Sequence, residues 1–128
     1  VNTAGSTVAA STTNWFVISG GYGQSILGAE AVTEDVITVA CTAQNPKVVI
    51  SSAQPASGTL VFTLRKDTGA GAASTSVVIT VAAGSAAGVY SGTGTDSVAA
   101  GNQLNWQVVN NATPDASAII RSTGFQCT

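Results

Sequence analysis

The chain reads as all-β, an antiparallel sandwich of eight or nine short strands, and three observations lead there. Apolar or alternating runs recur roughly every 8–14 residues between Gly, Pro, Asn and Ser turns. No segment sustains a 3.6-residue apolar period with helix caps. The 128 residues are 45% hydrophobic and only 8% charged, so there is enough apolar surface for one core and too little charge for a disordered chain. That length predicts a single domain.

Residues 1–13 (VNTAGSTVAASTT) hold no charge and no aromatic ring, and we read them as an extended arm ahead of a domain spanning 14–128. The opening Val1 leaves three readings: a removed initiator Met, a removed leader or pro-segment, or numbering that begins late. Trp15-Phe16-Val17-Ile18 is a bulky strand stopped by Gly20-Gly21. Tyr22 to Leu27 forms a second short strand, and residues 28–35, with Glu30, Glu34 and Asp35, form a loop or one helical turn. Val36-Ile37-Thr38-Val39 makes a strand before Cys41, and Asn45-Pro46 marks a turn or the start of the strand Lys47-Val48-Val49-Ile50. In Thr59 to Lys66, Leu60, Phe62 and Leu64 share one face and Val61, Thr63 and Arg65 the other. After a turn at Asp67 to Gly71, Val77, Ile79 and Val81 share a face. Weak strands at Val89-Tyr90 and Asp96 to Val98 flank a Gly92-Thr93-Gly94 turn. Leu104, Trp106 and Val108 line a buried face, and Ser117 to Cys127 closes the chain with Ile119, Ile120 and Phe125 as core candidates. Val81-Ala82-Ala83-Gly84 echoes Val98-Ala99-Ala100-Gly101, which we read as shared turn chemistry.

The stretch from Gly58 to Val109, with GTLVFTLRKD followed by SVVITVAAGSAAGVYSGTGTDSVAAGNQLNWQVVNN, resembles a strand pattern of phage and bacterial surface proteins. There a TFTLRKNG strand leads to a TVTIAAG strand, then a SVAAGD turn into an LSxxV strand. The pattern is similar to that of jelly-roll domains of the C1q/TNF-like kind, found on phage fibres, spikes and capsid decorations. The resemblance implies a jelly-roll sandwich, a homotrimer, and a virion-surface or extracellular setting. It also implies a major capsid protein, or another virion or filament protein, as partner. Two positions depart from the pattern: Gly101-Asn102 replaces Gly-Asp, and the hairpin after Lys66 is longer and richer in Gly and Ala.

Most reaction chemistry lacks its residues. Histidine is absent, which removes Ser-His-Asp and Cys-His arrangements and every His-ligated metal site. Neither cysteine has a charged residue within three positions to activate a thiolate. Cys41 and Cys127 stand too far apart for redox or zinc motifs; they form either a disulfide between neighbouring strands or two buried thiols. Asp67, Asp96 and Asp115 sit in loops where aspartate serves turns; Asp67 and Asp96 are also the nearest thing to calcium ligands, without a D-x-D-x-D cluster. Gly20-Gly21-Tyr22-Gly23 lacks the Lys-Ser/Thr of a phosphate loop, and Asn111-Ala112-Thr113 matches a glycan acceptor but precedes Pro114. Trp106 reads as core and Trp15 as core or interface, while Tyr90, flanked by Gly88 and Gly92, reads as an exposed ring for a ligand contact. We expect no enzyme, no cofactor and no metal. Four basic against six acidic residues give no electrostatic footprint for nucleic acid, and no apolar run is long enough to span a membrane.

An ordinary domain is about one-quarter charged. Weakly charged faces of small residues approach one another cheaply, which points to a self-associating structural protein. We place the contact segment in the arm and the run after it: Val1, Thr7, Val8, Trp15 and Phe16. The alternatives are a filament or pilus subunit assembling by N-terminal strand exchange, a carbohydrate-binding adhesin module with Tyr90 at its site, and a secreted monomer coated by hydroxyls.

Overall fold

The computed structural model describes residues 6–9, 12–18, 30, 34–52, 54, 57–111 and 118–128. The expected strand at Tyr22 to Leu27, the Gly20 to Gly23 loop, Ala112 and Thr113 of the sequon, Pro114 and Asp115 lie outside them.

Two antiparallel sheets share one core. The first contains β1 (Ser6–Val8), β4 (Cys41–Ile50), β7 (Gly88–Ser91), β8 (Asp96–Val98) and β10 (Ala118–Cys127), in the order β1-β10-β4-β7, with β8 pairing β4 beyond the end of β7. The second contains β2 (Thr12–Val17), β3 (Asp35–Val36), β5 (Leu60–Asp67), β6 (Ala73–Val81) and β9 (Gln103–Asn110), in the order β2-β9-β5-β6, with β3 continuing the β2 side of β9. Among the described residues each sheet has an edge built from two short strands placed end to end, β7 with β8 and β2 with β3.

Alternation decides what is buried. Leu60, Phe62 and Leu64 of β5, Val77, Ile79 and Val81 of β6, and Leu104, Trp106 and Val108 of β9 face inward, as their spacing predicts. They meet Ala43, Val48 and Ile50 of β4, Val98 of β8 and Ile120 of β10. Phe125 closes one end, its ring edge-on to Trp106 at 6.3 Å between centroids. The echoed quartets are matching turns: Ser85 N–H donates to the Ala82 carbonyl and Asn102 N–H to the Ala99 carbonyl, with Gly84 and Gly101 at φ 73° and 90°.

Two expected strands take a different form. Asn45-Pro46 does not start a strand; β4 runs through it from Cys41 to Ile50. Asn45, at φ 50°, absorbs the extra residue of a bulge against β10, and a bulge is where a sheet tolerates proline. Pro46 falls between the two partners on that edge, β8 at 41–43 and β7 at 47–50. Of the expected strand 36–39 only Val36 is strand, as the second residue of Asp35–Val36. Ile37 bonds to the 101–102 turn, and the chain then leaves this sheet for β4, with Val39 72% exposed.

The expected arm also takes a different form where it is described. β1 pairs with β10 of its own chain, Ser6 opposite Ile120 and Val8 opposite Ala118. Thr12 and Thr13 begin β2 in the other sheet. The chain therefore crosses from sheet to sheet near Ala9, whose carbonyl accepts from Thr12 Oγ1 at 2.6 Å. Asn110, buried in β9, donates to the Val8 carbonyl at 3.2 Å and braces this corner.

Candidate functional site

The expected contact segment is divided by the fold. Val1 lies outside the described residues, and Thr7 stands in β1 opposite Ile119. Val8 is 0% exposed and Phe16 5%, both in the core of their own subunit. They cannot serve a neighbour in this conformation, because strand alternation turns them inward. Trp15, opposite Gln107 in β2, is half-buried and alternates with Phe16, which assigns it to the outer face of its sheet.

Tyr90 is not an exposed ring. It packs against the core, and its hydroxyl donates to the Ala86 carbonyl at 2.5 Å. β7 is paired to β4 with Tyr90 opposite buried Val48, so its ring is directed to the interior; the flanking glycines gave no sign of that.

Cys41 and Cys127 are disulfide-bonded, with Cα atoms 5.4 Å apart. The bond ties the start of β4 to the end of β10, where Thr42 and Thr128 exchange both backbone hydrogen bonds at 2.7 and 3.1 Å. Cys127 is exposed, so the pair is not two buried thiols.

The acids have local duties. Asp67 Oδ1 accepts from the Gly69 and Gly71 N–H groups at 2.6 and 3.0 Å, a turn role. Asp96 receives the Lys66 ammonium at 2.5 Å across the two sheets, and Lys66 also donates to the Ser97 carbonyl. Arg65 grips Glu30 through Nε at 2.7 Å and Nη2 at 3.1 Å, which holds the guanidinium above its usual pKa. Burial, then the charges of Asp67 and Glu30, push the Glu34 carboxyl up. Among the described residues no three His, Cys, Asp or Glu side chains group to hold a metal, and no helix is long and apolar enough to cross a membrane.

The two flanks of the layered structure differ. On one, Gly92-Thr93-Gly94 lies against β6: Thr93 and Val78 exchange hydrogen bonds at 2.9 and 3.0 Å, and Ser76 Oγ donates to the Thr95 carbonyl at 2.5 Å. A Cβ at Gly92 would overlap the Val78 carbonyl and one at Gly94 the Ser76 carbonyl. Only glycine admits so close an approach.

On the other flank, β1 covers β10 only at Ala118 to Ile120. From Arg121 to Cys127, the edge of β10 away from β4 has no partner among the described residues. The Thr42–Thr128 pair sets the phase, so alternation along β10 aims the backbone N–H and C=O of Thr123, Phe125 and Cys127 outward. The nearby groove of about 620 Å³ is lined by Asn45, Lys47, Ser91, Phe125 and Gln126 among others, with Asn45 Nδ2 donating to Gln126 Oε1 at 2.8 Å.

Sequence reading missed both the sealed flank and the open edge. Gly92-Thr93-Gly94 read as an ordinary turn, since only tertiary approach gives it a partner. The open edge had a trace in the sequence: β10 carries no acid and no proline. No protein-family model matches the chain, and no curated protein matches it.

Proposed function

We propose that the chain is a structural subunit of an extracellular or virion-surface assembly, a jelly-roll domain that associates with copies of itself and binds a protein lattice. The observation that carries this reading is the β10 edge from Arg121 to Cys127, unpartnered among the described residues, on a molecule with only 8% charged residues. An isolated soluble domain blunts such an edge with charge, proline or a covering segment, because a row of free N–H and C=O groups is a template for pairing. Among the described residues the defences of β10 are a bulge and a single charge, both at Arg121, and β1 over its first three residues. The disulfide supports an oxidising compartment, where such bonds persist. The resemblance of Gly58 to Val109 to phage and bacterial surface jelly rolls supports the virion exterior over other extracellular sites, and a homotrimer as the assembling unit.

The filament reading draws on the same edge, with β10 receiving a strand in place of the N-terminal exchange expected earlier. Particle mass of the oxidised chain, measured across a hundredfold concentration range, tests self-association. We expect multimers at micromolar concentration; a single-copy species throughout overturns the proposal. Electron micrographs of the native source then separate an ornamented shell from a fibre of one protein.

A further inference from the structure

We infer that two copies of this chain pair through β10, edge to edge and antiparallel, about a two-fold axis at Gly124. This rests on the self-association reading above and specifies its contact. Among the described residues the open edge runs seven residues, Arg121 to Cys127, and it overlaps a second copy of itself in full only when centred on Gly124. That register sets Thr123 opposite the second copy's Phe125. Both residues aim their N–H and C=O groups outward, so each such pair exchanges two hydrogen bonds.

Charge selects the same partner and the same direction. Of the described cations, Arg65 and Lys66 are held by Glu30 and Asp96, while Lys47 and Arg121 stand exposed on the sheet that contains β10. Glu34, Asp35 and Asp67 gather at the opposite end of the strands from Arg121. In the β5–β9–β3 register Asp67 faces Gln103 and Gln103 faces Val36. That end is also where the disulfide lies, since β8 leads through the 99–102 turn into Gln103 and pairs Val98 with Cys41. Antiparallel pairing carries Arg121 of each copy to the other's acidic end. Parallel pairing would bring the two Arg121 side chains together. The strand has no acid of its own, so self-pairing sets no like charges opposite one another. Exposed Val36 and Val39 flank the acids and give that end apolar area to bury against the second copy.

Backbone amide exchange on the oxidised full chain, followed by NMR at high and low protein concentration, tests the pairing. We expect the Thr123, Phe125 and Cys127 amides to be protected when concentrated and to exchange faster on dilution. Thr123→Pro removes an outward N–H and leaves the ladder to β4 intact; it should weaken the pair by about tenfold or more. Arg121→Glu should weaken it about fivefold, with Glu34→Lys restoring it. If the chain multimerises while those three amides exchange at the same rate at both concentrations, the inference is overturned and self-association stands. If the chain is a single-copy species at every concentration, both fall.

Discussion

The two flanks of this protein solve one problem in different ways. Each flank is where the edges of the two sheets come near one another, and an unsealed edge is a hazard. On the β6 flank the seal is steric and local: two glycines let the Thr93 backbone reach Val78. On the β10 flank the seal is partial. β1 covers three residues of β10, and beyond them a covalent bond fastens the strand to β4 while its outer edge has no partner among the described residues. One flank is closed by close approach; the other is anchored, with an edge that no described residue covers. That difference is what makes the β10 flank the candidate for association.

The largest effect should come from breaking the anchor. A disulfide closing an 86-residue separation stabilises by roughly 4–5 kcal/mol in the loop-entropy model. Cys41→Ala with Cys127→Ala should lower the unfolding free energy by about that amount in urea titration. Amide exchange sharpens the comparison: protection should fall first along Gly124 to Cys127, while Val78 and Thr93 keep theirs. Uniform loss along both flanks would break the distinction.

Next comes the steric seal. Gly94→Ala sets a Cβ into the Ser76 carbonyl at φ 93°, so we expect a loss of about 3 kcal/mol or more. Gly84, at φ 73° with nothing within 4 Å of its added Cβ, is the control. Gly84→Ala meets only the left-handed backbone penalty, about 1 kcal/mol. Equal melting temperatures for the two variants would show that the close approach is not what holds this flank.

Why was one flank invisible in the sequence and the core so legible? Core strands announce themselves locally, because Leu60-Val61-Phe62-Thr63-Leu64 alternates within its own residues. Trp106 and the Val77, Ile79, Val81 face were readable for the same reason. Tyr90 was misread because its strand is short and its orientation is imposed by pairing with Val48. Asn45-Pro46 looked like a boundary, since the bulge against β10 and the gap between β8 and β7 that admit proline here are set by tertiary pairing. The sealed flank has no local signature at all: its partners are more than a dozen positions apart, and glycine spacing alone does not separate a turn from a seam. The open edge depends on how far β1 extends along β10, which composition does not record.

A third, smaller effect concerns the end of the molecule that the flanks share. Lys66 of β5 reaches Asp96 of β8 and joins the sheets; both side chains are about one-quarter exposed, at 23% and 24%. Solvent screens such a pair, so Lys66→Met should cost about 1 kcal/mol and show a reduced dependence on salt. A loss as large as that of Gly94→Ala would mean that the end, not the flank, holds the two sheets together.

The smallest effect reads out the acidic end that the β10 pairing is argued to use. Glu34 has its carboxyl pushed above the ordinary range, by burial first and then by Asp67 and Glu30. A carboxyl raised in the folded state binds its proton more tightly there than in the unfolded chain. Stability therefore rises as pH falls through the window between the raised value and the ordinary one near 4.3. Above that window the ionised group opposes folding; below it the penalty is gone. Glu34→Gln should accordingly stabilise the isolated subunit at neutral pH, by at most about 0.5 kcal/mol after solvent screening, and change nothing below about pH 4. In the paired state the sign should reverse, because Arg121 of the second copy favours the ionised carboxylate. Melting curves at low and high protein concentration separate the two signs. A stabilisation by Glu34→Gln that is the same at both concentrations would remove the acidic end from the contact and leave Arg121 without the partner that antiparallel pairing assigns to it.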